Sequence, residues 1–500
     1  MPLRTSTAIS IVVIAILAAA LRIFHLDYLS LWNDEIFTHY YYELFGPHFL
    51  LTTGLTIEPT PPLYYFMLEA WMRVFGHGAV PMRALSVCAS LVALPLVFLL
   101  AREVATRKVA IVAALLFALS PMAIYFSQEA RVYMLTVVWT SLMLLGIARY
   151  LRRGRASHLA LYAASAIVAM YSHSTMMFLI AACNVVVIAV LLIARKAGTP
   201  ATLRGWLAAN VVVGVIAVPL LFIMASIGQH GTGLSWIPPF SPRDIAVALS
   251  GLVAGIITPL RWPGIELTML TLIALVAAIA AVRAPRVLLL VTVAIPAVFV
   301  VLVCIASLKQ PILLPRILCW MTAPLSVLIA WAVTQRSRLA HVVRIVVCVT
   351  FAAGLYYQLA EADGAKPPYR EVFGQAHDDL MRADSIVLAP YASPLVLDFY
   401  APNVPHVSKW RDRTITGIEE WQVARLGIPH VPLDGVRDDI AAGRDVWVVA
   451  SSPDAPLMPQ LLGQVPPPQR TYLSRCNEPA RDGHEPPPCI AIYGWNVKPR

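Results

Sequence analysis

Residues 84–101 read ALSVCASLVALPLVFLLA, eighteen positions without a charge, with Arg83 immediately before them and Arg102 immediately after. As a helix rising 1.5 Å per residue this stretch would be about 27 Å long, close to the hydrocarbon thickness of a bilayer. It predicts a membrane span. Comparable apolar runs follow one another along the chain, at about 80–101, 109–126, 132–148, 157–172, 175–194, 206–225, 265–282, 287–306, 317–334 and 342–359. The run Ala8–Ala20 follows Arg4 and lacks a small-residue cleavage pattern, so it reads as a retained first helix rather than a cleaved signal. The expectation is a polytopic α-helical membrane protein with about eleven transmembrane helices.

Composition points the same way. The 500 residues are 59% hydrophobic and only 13% charged, with a mean hydropathy of +0.71, whereas a soluble chain carries about 25% charged residues. Water-soluble, disordered and nucleic-acid-binding readings fail on these numbers. The net charge of +10 gathers in short loops, and it reports orientation rather than a polyanionic partner.

Ile245–Leu260 is apolar but short, with Arg243 and Asp244 before it, Pro259 near its end and Arg261 after it. If it does not cross, Arg4, Arg102/Arg107/Lys108, Arg149/Arg152/Arg153/Arg155, Arg195/Lys196/Arg204, Arg283/Arg286 and Arg336/Arg338 all fall on one side. The excess of Lys and Arg in cytoplasmic loops then sets the N-terminus inside and the C-terminus outside. The segment is accordingly expected to be interfacial or re-entrant. Residues 1–360 form the expected membrane domain, with an outer loop at about 22–79 and a second outside segment at about 226–264.

Residues 361–500 change character, rich in Pro and charge but with the apolar runs Ser385–Ala389, Asp445–Ala450 and Cys489–Tyr493 bounded by turn residues. They predict the buried strands of a small α/β domain on the outer side, which is the periplasm for a bacterial inner-membrane protein, as this chain is expected to be. Cys88, Cys183, Cys304, Cys319 and Cys348 lie in apolar runs and are expected to stay reduced. Cys476 and Cys489, in an oxidising compartment, flank Pro486-Pro487-Pro488, and a Cys476–Cys489 disulfide is expected; closing that loop contributes about 3 kcal/mol.

The candidate chemistry lies at the outer face. The first outer loop contains Trp32-Asn33-Asp34-Glu35-Ile36, two adjacent acids just beyond a span. A plain helix start, with Asn33 or Asp34 as its cap, accounts for them as readily as a site does. Neighbouring side chains diverge by about 100° on a helix, so the two acids have different tasks. One can serve a cavity as a base while the other orients its surroundings. Further on, Pro61-Pro62-Leu63-Tyr64-Tyr65 opens an amphipathic helix running to Phe75, with Tyr64 or Tyr65 facing a substrate pocket or simply packing. Arg83, Arg131, Lys309 and Arg316 all sit at outer ends of spans, the side that disfavours cations. Snorkelling or pairing with Glu129 or Asp34 explains any one of them; four together point to an anionic ligand, and phosphate suits a forked guanidinium. Gln128 belongs to the same candidate pocket.

With these residues the chain resembles the GT-C membrane glycosyltransferases, and among them the bacterial relatives of protein O-mannosyltransferases and of the lipid A aminoarabinose transferase. The resemblance covers about residues 20–375. It rests on Asp34-Glu35, on Pro61-Pro62-Leu63-Tyr64-Tyr65 with Phe75-Gly76, on Met82-Arg83, on Ser120-Pro121 and Tyr125 to Tyr133, on Lys309 to Arg316, and on Lys366-Pro367-Pro368-Tyr369-Arg370. Two positions depart from the family: Thr60 stands where a His is usual, and Arg316-Ile317 where an Arg-Tyr is usual. Thr cannot replace an imidazole as ligand or proton carrier, so a role of that position in metal binding or proton transfer does not carry over.

The resemblance implies a polyprenyl-phosphate monosaccharide as donor and an acceptor hydroxyl on a glycolipid, an envelope polysaccharide or a protein. Asp34 carries over as the base, with Glu35 as orienter or as partner of one of the four cations, and Arg83, Arg131, Lys309 and Arg316 as phosphate ligands. No cofactor is required by this reading, and a divalent cation is left open. No nucleotide-binding glycine loop is visible, in keeping with a donor activated by lipid phosphate, and membrane lipids are expected partners. A lipid-linked oligosaccharide transferase or polymerase is the alternative within enzymes. A lipid-linked sugar transporter or flippase is the alternative outside them; it predicts half-repeats and acids at mid-membrane, whereas these spans are almost free of acids.

Overall fold

Backbone buried in hydrocarbon has no water to bond, so long uncharged runs satisfy their own N–H and C=O groups as helices. The computed structural model describes residues 5–52, 60–193, 200–230, 237, 239–256, 265–360, 365–411, 418–451, 454, 457–474 and 490–498. It divides into two compact units, Met1–Leu26 with Glu58–Glu361, and Asp27–Ile57 with Ala362–Arg500. Cys476 and Cys489 lie outside the described residues; the other five cysteines are free thiols.

In the first unit, seven helices among the described residues are long and apolar enough to cross a membrane. They become eight if Arg107–Leu119 and Pro121–Ser127, bent by 55°, form one span; Thr7–Ile23, Ala156–Ser172 and Glu266–Val282 are shorter apolar helices. Tyr133–Arg153 and Pro315–Val333 are the most enclosed, with 83% and 89% of their apolar windows buried. The bend has a local cause. Pro121 has no N–H to continue the ladder, and Ser120 restarts it by accepting from Ala123 N at 3.3 Å. The carbonyls freed at the break are met by Arg22, which is fully buried and donates to Ala118 O at 3.0 Å, Phe117 O at 3.2 Å and Ser90 Oγ at 2.6 Å.

Pro242–Ala254 is a helix of thirteen residues, about 20 Å long and too short to cross a bilayer. Asp244 accepts from Ser241 N at 2.7 Å to start it, and Gly255, at φ +90°, ends it. Against its last turn lies Gly354 of the helix Arg338–Ala360, where a Cβ would meet Ala254 O and Pro121 Cγ at 2.6 Å. Within Arg286–Ser307 a π turn at Leu290–Ala294 precedes Pro296 and absorbs the hydrogen bond that proline cannot make.

The second unit carries a six-stranded sheet in the order β3-β2-β1-β4-β6-β5. Its strands are β1 Ser385–Leu388, β2 Val407–Trp410, β3 His430–Val431, β4 Val446–Ser451, β5 Arg470–Ser474 and β6 Ile490–Trp495. The β3-β2-β1-β4 part is parallel, with helices in its crossovers, while β6 and β5 run antiparallel. The three apolar runs read from the sequence are β1, β4 and β6; the α/β expectation for this region matches the architecture. Strand β2 contains Lys409, which is buried and donates to Ala389 O at 3.0 Å and Ala392 O at 2.6 Å. The helix Asn33–Leu50 belongs to this unit, attached to the helix Pro394–Tyr400 by Tyr40 Oη donating to Asp398 Oδ2 at 2.8 Å. Tyr400 Oη donates to Leu31 O at 2.8 Å, and Arg425 Nε to Leu44 O at 2.7 Å.

Candidate active site

The two acids part as adjacent helical residues should. Glu35 is completely buried while Asp34 stays partly accessible. The helix begins at Asn33 after a non-helical Trp32, so neither Asn33 nor Asp34 is the cap; instead Glu35, in the third position, accepts from Trp32 N at 3.4 Å. The same Glu35 oxygen accepts from Lys366 Nζ at 3.0 Å, an ion pair whose side chains are 0% and 3% exposed. Lys366 also lies 5.9 Å from the centre of the Trp32 ring. The cation facing Glu35 in this unit is thus Lys366, outside the four expected phosphate ligands.

Lys366 opens a segment that clasps residues 27–35 throughout. Arg370 N donates to Ser30 Oγ at 3.1 Å, Arg370 Nη2 pairs with Asp27 Oδ1 at 2.9 Å, and Ser30 Oγ reaches Glu371 Oε2 at 3.5 Å. Burial first, and then the charge of Asp34, push the Tyr369 hydroxyl up to about 12. Tyr369 therefore keeps its proton beside Asp34. The segment was visible in the sequence only as part of the family pattern; that its lysine would pair with Glu35, 331 residues away, has no local signature.

The expected cations belong to the first unit. Arg83 is buried in the helix Ala79–Val104 and donates to Leu26 O at 2.8 Å. One turn further on, Ser86 Oγ donates to Arg131 O at 3.2 Å, which ties Arg131 to the same helix. Arg316 sits in the 3₁₀ turn Pro315–Met321, and both it and Arg131 are partly accessible. The charges of Arg131 and Arg316 both bear on His173. Lys309 is exposed; the loop after it is folded by Ser307 Oγ, which accepts from Leu313 N at 3.2 Å.

Tyr64 and Tyr65 are both 1% exposed, their ring centres 6.0 Å apart, on the inward face of the helix Leu63–Phe75. Gln128 spends its amide on the end of the first helix, with Nε2 donating to Phe24 O at 2.6 Å and Arg22 O at 3.2 Å. Among the described residues, no group of three or more His, Cys, Asp or Glu could hold a metal ion.

The apo structure of ArnT from Cupriavidus metallidurans matches 99% of this chain and 98% of its own, with a TM-score of 0.59 at 12% identity. ArnT from the same organism bound to undecaprenyl phosphate matches 99% of each chain, with a TM-score of 0.58 at 14% identity. The chain has the fold of ArnT. Residues 59–223 also match the family model described as dolichyl-phosphate-mannose-protein mannosyltransferase, which takes in the paired tyrosines, Arg83, Gln128 and Arg131. No curated protein sequence matches significantly. The family model over residues 59–223 and the fold agree with the resemblance read from the sequence.

Proposed function

We propose that this GT-C protein moves a monosaccharide from a polyprenyl-phosphate donor to an acceptor hydroxyl of a glycolipid, envelope polysaccharide or protein. The reaction takes place at the periplasmic face of a bacterial inner membrane, with eleven spans and the α/β domain outside. The observation that carries this reading is the division between the adjacent acids, Glu35 locked in a buried ion pair and Asp34 left accessible at the same helix start. Asp34 takes the proton of the acceptor hydroxyl as that oxygen attacks the anomeric carbon, and the bond from that carbon to the phosphate oxygen breaks. The transition state resembles an oxocarbenium ion, in which the leaving phosphate gains charge. Arg83, Arg131, Lys309 and Arg316 hold that phosphate and stabilise it as it leaves. Tyr64, Tyr65 and Gln128 border the substrate. The family match over residues 59–223 and the undecaprenyl phosphate bound by the similarly folded ArnT support the choice of a lipid-phosphate donor.

The test begins with mass spectrometry of glycolipids, envelope polysaccharides and secreted proteins from a deletion strain, to find the glycan that disappears. Restoration of that glycan by the wild-type chain and not by Asp34→Asn is expected. Restoration by Asp34→Asn at the wild-type level would remove Asp34 as the base.

A further inference from the structure

The helix Ala156–Ser172 ends at His173, a half-buried residue. Thr175 N lies 3.3 Å from His173 Nδ1, with hydrogen-bond geometry, and Thr175 Oγ1 lies 2.8 Å from the same atom. A backbone N–H can only donate, so Nδ1 is the acceptor and the proton of the neutral ring is on Nε2. Burial, then the charge of Arg131, then that of Arg316, push the imidazole down to about 3, so the ring is neutral throughout the physiological range. Tyr133 holds its orientation, ring centre to ring centre at 6.1 Å. The result is a neutral N–H donor on a ring packed against Tyr133, two residues beyond Arg131, while Met134 Sδ lies 3.9 Å from Cys319 Sγ in the turn Pro315–Met321 that carries Arg316.

We propose that His173 is a further ligand of the donor phosphate, its Nε2–H donating to a phosphate oxygen engaged by Arg131 and Arg316. This rests on the reading of those arginines as phosphate ligands. A neutral donor suits the place physically: a third cation would repel the two guanidinium groups whenever the site is empty, whereas an imidazole N–H adds a directed hydrogen bond at no such cost. As the sugar departs and charge grows on the phosphate, that bond strengthens.

The two ring nitrogens can be separated by substitution. A Gln amide nitrogen approximates the position of Nε2, while Asn places its amide near Nδ1 and does not reach the ligand. Binding of undecaprenyl phosphate to the purified full-length protein is measured for His173→Gln, His173→Asn, His173→Leu and Arg316→Ala, alongside a melting curve for each. The expected result is a Kd raised roughly tenfold in His173→Asn and His173→Leu, with His173→Gln within about threefold of wild type. Equal binding by the Asn and Gln variants, with Arg316→Ala weakened, would overturn the role of His173 and leave the arginine reading standing. Unchanged binding in Arg316→Ala as well would overturn the reading beneath it. Should His173→Leu fail to fold, the comparison of Asn with Gln still decides.

Discussion

Glu35 and Glu103 are both buried carboxylates at helix ends, and they are neutralised in opposite ways. Glu35 sits in the first turn of its helix, where the dipole favours an acid, and is paired with Lys366, the two side chains 0% and 3% exposed. Glu103 sits in the last turn of Ala79–Val104, where the dipole disfavours an acid, and gathers Arg149, Arg152 and Arg153 from the end of Tyr133–Arg153. Those arginines are 29%, 49% and 43% exposed. The first arrangement is a dry ion pair between distant parts of the chain; the second is a wet cluster with spare cations. One fixes a geometry, and the other tolerates loss.

The largest effect is expected one residue from the dry pair. Asp34→Asn keeps the shape of the side chain and removes its capacity to accept a proton, and general bases contribute about 10²–10⁴-fold to rate. Sugar transfer should fall by at least about a hundredfold while the melting temperature stays at the wild-type value. A loss of stability equal to that caused by breaking Glu35–Lys366 would mean that Asp34 is structural like its neighbour.

The pair itself comes next. Removing one partner from a buried ion pair leaves an uncompensated charge and costs about 3–5 kcal/mol. Lys366→Met and Glu35→Gln should each lower the melting temperature sharply, and the double variant should recover much of the loss. A double variant as unstable as the sum of the singles would show that the two side chains act independently and that the clasp over residues 27–35 has another origin.

The sequence made most of the membrane unit legible because hydrocarbon imposes a simple rule on long runs: the span at 84–101 needs no partner to be recognised. The strands β1, β4 and β6 were equally plain, being apolar on both faces. β2 was not, because Lys409 interrupts it, and its burial depends on carbonyls contributed by residues 389 and 392. At the proposed site, the pattern Asp34-Glu35 and the cations at the ends of spans could be read from type and position. Their partners could not. Lys366 meets Glu35 across 331 residues, and the charges of Arg131 and Arg316 reach His173, across separations that only the fold closes. A signal for His173 existed, a lone histidine in a short turn between apolar runs, but a lone histidine there is as readily a packed ring.

A smaller effect is expected from the proposed phosphate ligands. A hydrogen bond to a charged group contributes about 1.5–3 kcal/mol, so Arg83→Ala and Arg316→Ala should each weaken binding of undecaprenyl phosphate by roughly ten- to a hundredfold. Arg83 also bonds Leu26 O, so its variant should lose some stability as well, and Arg316→Ala is the cleaner measurement. Binding unchanged in both would make these arginines anchors of their helices, closer in kind to the Glu103 cluster than to a ligand site.

The smallest effect is expected at Glu103. Arg152 is half exposed, and Arg149 Nε at 3.4 Å and Arg153 Nη2 at 2.8 Å remain on the carboxylate when it is removed. Exposed ion pairs contribute about 0.2–1 kcal/mol, and with two cations left Arg152→Ala should fall within that range. Salt provides the sharper contrast. Raising ionic strength shortens the Debye length to about 3 Å at 1 M, which screens accessible charges and leaves buried ones almost untouched. The stability difference between wild type and Arg152→Ala should therefore vanish at high salt, and that between wild type and Lys366→Met should persist. If both differences respond alike, exposure is not what separates the two glutamates; the opposite positions they occupy in their helix dipoles would then have to account for the contrast.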